Sequence, residues 1–418
     1  MASAIDEGRL PRYRWVIEAL VIVMLIVQVM TWLAPAPILE PMIKGLGITL
    51  SQAGLIISVI ALCIAIFSFA GTFVAERLGT LRALLVGIWL MGLAEIASGH
   101  TTTFSALLLC RVLEGVGYGI MIGPPAALVM QWFGTREWPW MNMVNSVCAY
   151  IGITAVYAVT PPLYAALGSS WQRVVTSYGV TAAAVAILWT VLGRERHTEA
   201  AAAPGHGGGS GASLSEVLRI RGVGLMAVAL FGGMWVFQLY TAFLPQFFHV
   251  ERGLELAAAA SLTAALPFAA MFAAAAGGIG TALIGLRRPF LWPMAILTLV
   301  GCAGAVLLPT VNGMRASLVL VGIGASGGLA ATGTLMMELP EMTPAKMGTA
   351  FSFVWAAGYA GAFISPFLGG ALAPALGLRM VMLAFLAFQV LPIVAMYMLP
   401  ETGPAAKTIE MVPAQQAG

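Results

Sequence analysis

Arg111 and Glu114 lie three residues apart inside an apolar run from about residue 104 to 130. That run is long enough to cross a bilayer. A charged side chain at bilayer depth costs on the order of 2.5–3.5 kcal/mol on insertion scales, so the two need a partner, a wet cavity or each other. Spacing of three puts both on one helix face. Two chemistries follow. The guanidinium is a planar five-donor fork suited to carboxylate-like anions, which makes Arg111 a candidate substrate anchor. Glu114 is a candidate proton carrier, because burial disfavours its charge, the guanidinium favours it, and a change in their separation changes its protonation. The plainer alternative is a self-compensating structural pair.

Neutral side chains form a second group. Gln28 and Thr31 share one helix face, as do Gln238 and Thr241, and Trp32, Tyr240, Trp355 and Tyr359 could stack against a ligand. Polar groups inside a helical bundle usually face its interior, so these are expected on the walls of a central cavity. The competing role is an inter-helix hydrogen bond worth roughly 0.6 kcal/mol, or plain aromatic packing. Glu95 and Glu18 are expected near the ends of their helices, reaching interfacial water.

The elements that hold these residues are membrane helices. The chain is 60% hydrophobic and 9% charged, against about 25% charged in an ordinary soluble domain. Separate apolar runs near 15–35, 51–74, 81–98, 104–130, 139–166 and 174–193 make six spans, and six more lie near 222–247, 257–284, 289–308, 315–338, 347–374 and 379–399. Runs of about 20 residues without period-two alternation are helices and not barrel strands. Residues 1–193 and 222–418 are therefore two six-helix bundles, joined by a linker at 194–221 that contains a flexible Gly-Ser tract with an isolated His206. Ser213 with Glu216 is a capping-box pattern for a short surface helix. Gly115, Gly119 and Gly123 recur at intervals of four and form a stripe for close helix packing. Cys63, Cys110, Cys148 and Cys302 have no paired spacing, so neither disulfides nor a metal site is expected.

With this count both termini and the linker share one side. Of the 20 Lys and Arg, 14 fall on that side, five on the other, and Arg111 within the membrane. The positive-inside rule then puts both termini in the cytoplasm of a cell-membrane protein. Trp15, Trp132, Trp138, Trp171 and Trp292 near helix ends read as interfacial aromatics.

The halves also repeat each other. Gln28, Thr31 and Pro35 recur as Gln238, Thr241 and Pro245 at an offset of 210; Gly115-x-Gly117 recurs as Gly322-x-Gly324 at 207, and Tyr150-x-Gly152 as Tyr359-x-Gly361 at 209. A duplicated six-helix unit with a midplane site between two halves is a known transporter plan. The loop Glu76-Arg77-Leu78-Gly79-Thr80-Leu81-Arg82 resembles the acidic-basic-x-Gly-basic loop of the major facilitator superfamily, with Glu for the usual Asp and Thr80 and Leu81 for two basic residues. Gly285-Leu286-Arg287-Arg288 is its counterpart after the eighth span, with Ala282 where the acid would be. Arg111-x-x-x-Gly115-x-Gly117 is similar to that superfamily's motif in the fourth helix, residues 132–137 resemble its following loop, and residues 168–173 its Gly-Trp-Arg turn. The Gly-Pro-rich fifth-helix motif of its drug–proton antiporters is missing.

That resemblance implies that helices 1, 4, 7 and 10 face a central cavity, and that loop charges govern rocking of the halves. Glu76, Arg77, Gly79 and Arg82 in one half, with Gly285, Arg287 and Arg288 in the other, are expected to form a conformational gate by charge pairs made and broken between halves. The expectation is a monomeric secondary transporter working by alternating access, a symporter of a small organic or inorganic anion with the proton as coupling ion. Proton-coupled efflux of an amphipathic compound is the alternative, and a non-transporting membrane sensor a third. No Walker sequence or His-Glu-x-x-His occurs, so neither enzyme chemistry nor ATP drive is expected. Cofactors, metals and nucleic acid are likewise not expected; the partners are the bilayer, a small-molecule substrate and the proton.

Overall fold

The computed structural model of the protein describes residues 12–133, 137–196, 214–340, 342, 344–403 and 405. Arg9, Arg136, His206 and its Gly-Ser tract, Ser213 and Lys407 lie outside the described residues, as does the side chain of Glu76. The first bundle is α1 (Arg14–Leu33), α2 (Leu50–Leu78), α3 (Thr80–Ser98), α4 (Phe104–Ile120 and Pro124–Trp132), α5 (Trp138–Ala166) and α6 (Trp171–Leu192). The second is α7 (Arg221–Gln246), α8 (Leu256–Thr263 and Ala265–Ile284), α9 (Trp292–Leu307), α10 (Val311–Ser326 and Leu329–Glu338), α11 (Pro344–Leu376) and α12 (Leu378–Phe385 and Val390–Met398). Among the described residues eleven helices are long and apolar enough to cross a membrane. The remaining one, α4, is broken at Met121–Gly123 before Pro124 and Pro125, which cannot donate backwards into a preceding turn. A short helix, Leu214–Leu218, precedes α7.

Packing repeats with the sequence. Within the first bundle α1 packs on α5 and α6, and α4 on α2 and α3; within the second α7 packs on α11 and α12, and α10 on α8 and α9. The recurring glycines are the points of contact. A Cβ on Gly115 would lie 2.7 Å from Cys63 Cβ of α2, and one on Gly322 2.2 Å from Leu266 O of α8. Gly117 and Gly324 meet α3 and α9 in the same way, at 2.6 Å from Gly87 O and 2.4 Å from Thr298 Oγ1. Small residues let helix backbones approach in lipid, where apolar surface alone gives no drive to associate. Gly123 does not extend the stripe: it falls in the break of α4 and faces open space. Trp132 and Trp171 are buried within the first bundle, while Trp15 is exposed as an interfacial aromatic should be.

The halves touch each other mainly through α2 on α11 and α5 on α8. At the face opposite the linker these contacts are backbone-close: a Cβ on Gly54 would come within 2.4 Å of Pro366 O, and one on Gly370 within 2.5 Å of Leu50 O. The Tyr157 hydroxyl donates to Thr241 O, and Glu40 Oε2 lies 2.7 Å from His249 Nε2 across the same junction. The molecule is closed at this face.

Candidate functional site

Between the bundles lies a cavity of about 630 Å³. Its walls run from Tyr118, Gln238, Thr241 and Tyr359 near mid-helix to Leu291, Met336, Phe351 and Met396 toward the linker face. It is a cleft in the linker-side half of the molecule, capped by the closed opposite face. Among the described residues none of the lining side chains is charged. Polar lining comes from Trp32, Tyr118, Ser146 and Tyr150 of the first bundle, and from Gln238, Thr241, Thr298, Thr332, Trp355, Tyr359 and Gln389 of the second. No group of three or more His, Cys, Asp or Glu among the described residues could hold a metal.

Five of the nine residues expected on the wall are there: Trp32, Gln238, Thr241, Trp355 and Tyr359. Gln28, Thr31, Tyr240 and Arg111 are not. Thr31 turns into the first bundle, where its hydroxyl donates to Gln28 O at 2.9 Å and contacts Met91 Sδ at 3.6 Å. Tyr240 points the other way around α7 and donates to Met382 O of α12 at 3.3 Å.

Arg111 is 1% exposed, and all three of its guanidinium nitrogens are hydrogen-bonded. Its Nη1 donates to Glu114 Oε2 at 2.7 Å, Glu95 Oε2 at 3.1 Å and Thr31 O at 3.2 Å. Its Nη2 donates to Trp32 O at 2.6 Å and its Nε to Ile56 O at 3.2 Å. The pair that spacing suggested is thus a triad. Glu95, expected at interfacial water, is buried because α3 packs lengthwise on α4 and carries it to the guanidinium. Glu18 is buried as well, beside Asn145 of α5. The triad sits directly behind the cleft wall: Trp32, whose carbonyl Arg111 grips, meets Tyr118 edge-on at 5.4 Å, and both line the cleft.

At the linker face Arg287 and Arg288 are engaged within the second bundle. Arg287 pairs with Glu338 at 2.9 Å, and the N–H groups of Arg287 and Arg288 donate to the Glu401 carboxylate at 2.8 and 2.9 Å. The first bundle has the matching clasp, Glu195 accepting from the N–H groups of Thr80 and Leu81 at 3.0 and 3.3 Å. Burial opposes the charge on Glu401, but the N–H groups of Arg287, Gly403, Arg288 and Thr402 outweigh it and hold the carboxyl below its usual range. Hydrogen bonds to Glu338 hold the Arg287 proton more firmly than usual, against partial burial. Gly79, at φ +92°, and Gly285, at φ +70°, sit at the turns that aim these clasps, in the region that favours glycine. Arg77 and Arg82 are exposed. Among the described residues the guanidinium of Arg287 is thus held by Glu338 and that of Arg288 by Tyr397 O at 2.6 Å, both within the second bundle.

Sequence reasoning missed Gln389, Glu195 and Glu401 as well as the burial of Glu95. The repeat offered a signal for the clasp: Glu195 and Glu401 are 206 apart, close to the other offsets. A lone acid in the middle of an apolar run was the signal for Glu95.

A family model described as Major Facilitator Superfamily matches residues 20–343. The probable L-galactonate transporter of Escherichia coli (strain K12) is 26% identical over 239 residues, 54% of this chain and 52% of that protein. The quinolone resistance protein NorA of Staphylococcus aureus is 34% identical over 95 residues, 22% of this chain and 24% of that protein. The chain thus spans about half or less of the curated relatives it matches. Among solved structures, a bacterial homolog to the human lysosomal transporter Spinster, in an inward-facing and occupied conformation, superposes with a TM-score of 0.78 at 14% identity, covering 93% of this chain and 97% of that one.

Proposed function

As a member of the major facilitator superfamily, to which residues 20–343 assign the chain, it is a multi-pass membrane transporter, and we propose that it carries a small uncharged or amphipathic organic solute by alternating access. The observation that carries this reading is the composition of the cleft: about 630 Å³ enclosed by aromatic, apolar and neutral polar side chains, with no charge on the wall among the described residues. A charged cargo entering it would lose water without gaining a counter-ion, which costs several kcal/mol even after relaxation. Arg111, the natural anion anchor, has all three guanidinium nitrogens hydrogen-bonded, to two carboxylates and three carbonyls, behind the wall.

The triad has a different role in this reading. Two carboxylates and one guanidinium are neutral together only when one proton is shared, so the cluster is the place for a coupling proton. A proton gained or lost there alters the grip of Arg111 on Trp32 O, and through Trp32 the shape of the cleft. The 14-to-5 split of basic residues supports a cytoplasmic linker face, and in this reading the cleft opens inward in this conformation. Anion transport is the second reading, favoured by the L-galactonate transporter relative; it requires Arg111 to exchange an acid for the cargo in another conformation.

Uptake into proteoliposomes at two pH values separates the two. Radiolabelled uncharged and anionic solutes of matched size are presented with and without a proton gradient. Gradient-dependent flux of uncharged members is the expected result. Flux confined to anions overturns the first reading in favour of the second.

A further inference from the structure

The twelfth span is not one continuous α-helix. Its backbone tightens into a 3₁₀ turn at Leu386–Gln389, and the cause is local. Pro392 has no N–H to offer the carbonyl of Phe388, four residues earlier, and its ring crowds that carbonyl. Gly232 of α7 makes room for the displaced turn: a Cβ there would be 2.6 Å from Phe388 O and 2.8 Å from Pro392 Cδ. One turn further along α7, Trp235 stacks on the Phe388 ring at 4.1 Å and 13°. The turn is therefore built and held.

Irregular backbone at membrane depth is tolerated where it is buried in protein or lines a cavity, and interrupted helices in transporters point to binding sites. Here the turn delivers Gln389 to the cleft wall. Gln389 is 3% exposed and tied at one end only: Nε2 donates to Ala295 O of α9 at 3.2 Å, and Oε1 has no partner among the described residues. Gln238 lies three residues beyond Trp235 on the same face of α7. It too lines the cleft, is 3% exposed, and has an Nε2 with no partner. Because Trp235 is stacked on the residue preceding Gln389, the two amides belong to one patch of the second bundle. One offers a free acceptor and the other a free donor. Buried polar atoms without a partner are costly to keep, which gives a ligand that satisfies both an advantage over water-excluding apolar contact alone.

We propose that Gln238 and Gln389 form a recognition subsite for an uncharged group that both accepts and donates a hydrogen bond, of the carboxamide or hydroxyl class. Gln238 Nε2 donates to the oxygen of that group, and its N–H or O–H donates to Gln389 Oε1. A carboxylate is rejected at this point, because it brings a second acceptor against Gln389 Oε1. The aromatic pair Trp355 and Tyr359, with ring centroids 5.9 Å apart on α11, borders the same cleft and covers the apolar part of the cargo. The inference rests on the reading of the cleft as the cargo path.

The test is scintillation-proximity binding of radiolabelled nicotinamide to the purified full-length protein, with N,N-dimethylnicotinamide and nicotinate as competitors. The expected result is that unlabelled nicotinamide competes at least about ten-fold better than either, since one lost hydrogen bond in a dry site is worth about that factor. Gln389→Leu and Gln238→Leu, checked for folding by gel filtration and melting temperature, are expected to weaken nicotinamide about ten-fold and to abolish its preference over the dimethyl compound. Gly233→Trp, at a cleft position where an added Cβ meets nothing within 4 Å, is expected to abolish binding by filling the path. A preference that survives in both Gln variants while Gly233→Trp blocks binding overturns the subsite and leaves the cargo path standing. Binding that survives Gly233→Trp overturns the cargo path and the subsite with it. No nicotinamide binding to the unaltered protein overturns the subsite.

Discussion

Arg111 holds five acceptors from four helices at once, two carboxylates and the carbonyls of Thr31, Trp32 and Ile56. Removing one partner of such a buried network leaves uncompensated charge, which typically costs about 3–5 kcal/mol. Arg111→Gln is therefore expected to lower the melting temperature sharply whatever the cargo. Glu114→Gln is different, because Arg111 with Glu95 remains a one-to-one pair at 3.1 Å. That variant is expected to lose less than about 1.5 kcal/mol, the value of one ordinary hydrogen bond, and to keep cargo binding. Its transport should no longer vary with pH, because the amide cannot take the shared proton. Glu95→Gln should behave alike. A folded Glu114→Gln protein whose flux keeps its full pH dependence removes the proton from this cluster.

At the scale of the helix, α2 and α11 close one face by bringing backbone against backbone at Gly54 and Gly370. Any side chain at Gly54 must displace Pro366 O, and rigid backbone gives way less readily than a side chain. Gly54→Leu is expected to hold the face opposite the linker open and shift the population toward the other state, since the bulk penalises one conformation only. A cysteine placed at Thr241, in a cysteine-free background, should then react at least ten times faster with a membrane-impermeant reagent added from that face. Unchanged reactivity would show that closure does not depend on the glycine contact. The Glu195 and Glu401 clasps are the opposite kind of contact. Each ties the chain after α6 or α12 to the start of α3 or the loop before α9 within one bundle.

Over the whole molecule, the two halves meet through mirrored contacts, α2 on α11 and α8 on α5, an arrangement that suits the proposed rocking about the cleft. The proposal that the linker end of the cleft meets the cytoplasm rests on charge. The exposed Arg219 lies before α7 at the linker face and the exposed Glu255 before α8 at the other. Arg219→Cys is expected to be labelled only from the cytoplasm and Glu255→Cys only from outside, in intact cells with an impermeant maleimide. Labelling of both from one side would sink the twelve-span topology and the inward-open assignment together.

Much of this architecture is legible in the chain itself, because it is written in local chemistry. Apolar run length sets the helices, basic asymmetry supports the proposed direction, and the near-constant offset of Gln, Gly and Tyr motifs sets the duplication. The recurring glycines make the same contacts in both halves. The Arg111–Glu114 pair follows from helical spacing alone. What tertiary structure decided is which way each helix is turned. Gln28 with Thr31 and Gln238 with Thr241 have identical spacing, yet the first pair is buried in its own bundle and the second faces the cleft. The difference is rotation about the helix axis. In α1, Thr31 is drawn inward by Met91 of α3 and by the guanidinium of Arg111 on its carbonyl. In α7 no such charge exists to turn the helix, and Gln238 is left on the wall. Glu95 became a member of the triad, and Gln389 a member of the cleft, for the same reason: their partners lie on other helices, and only packing brings them within reach.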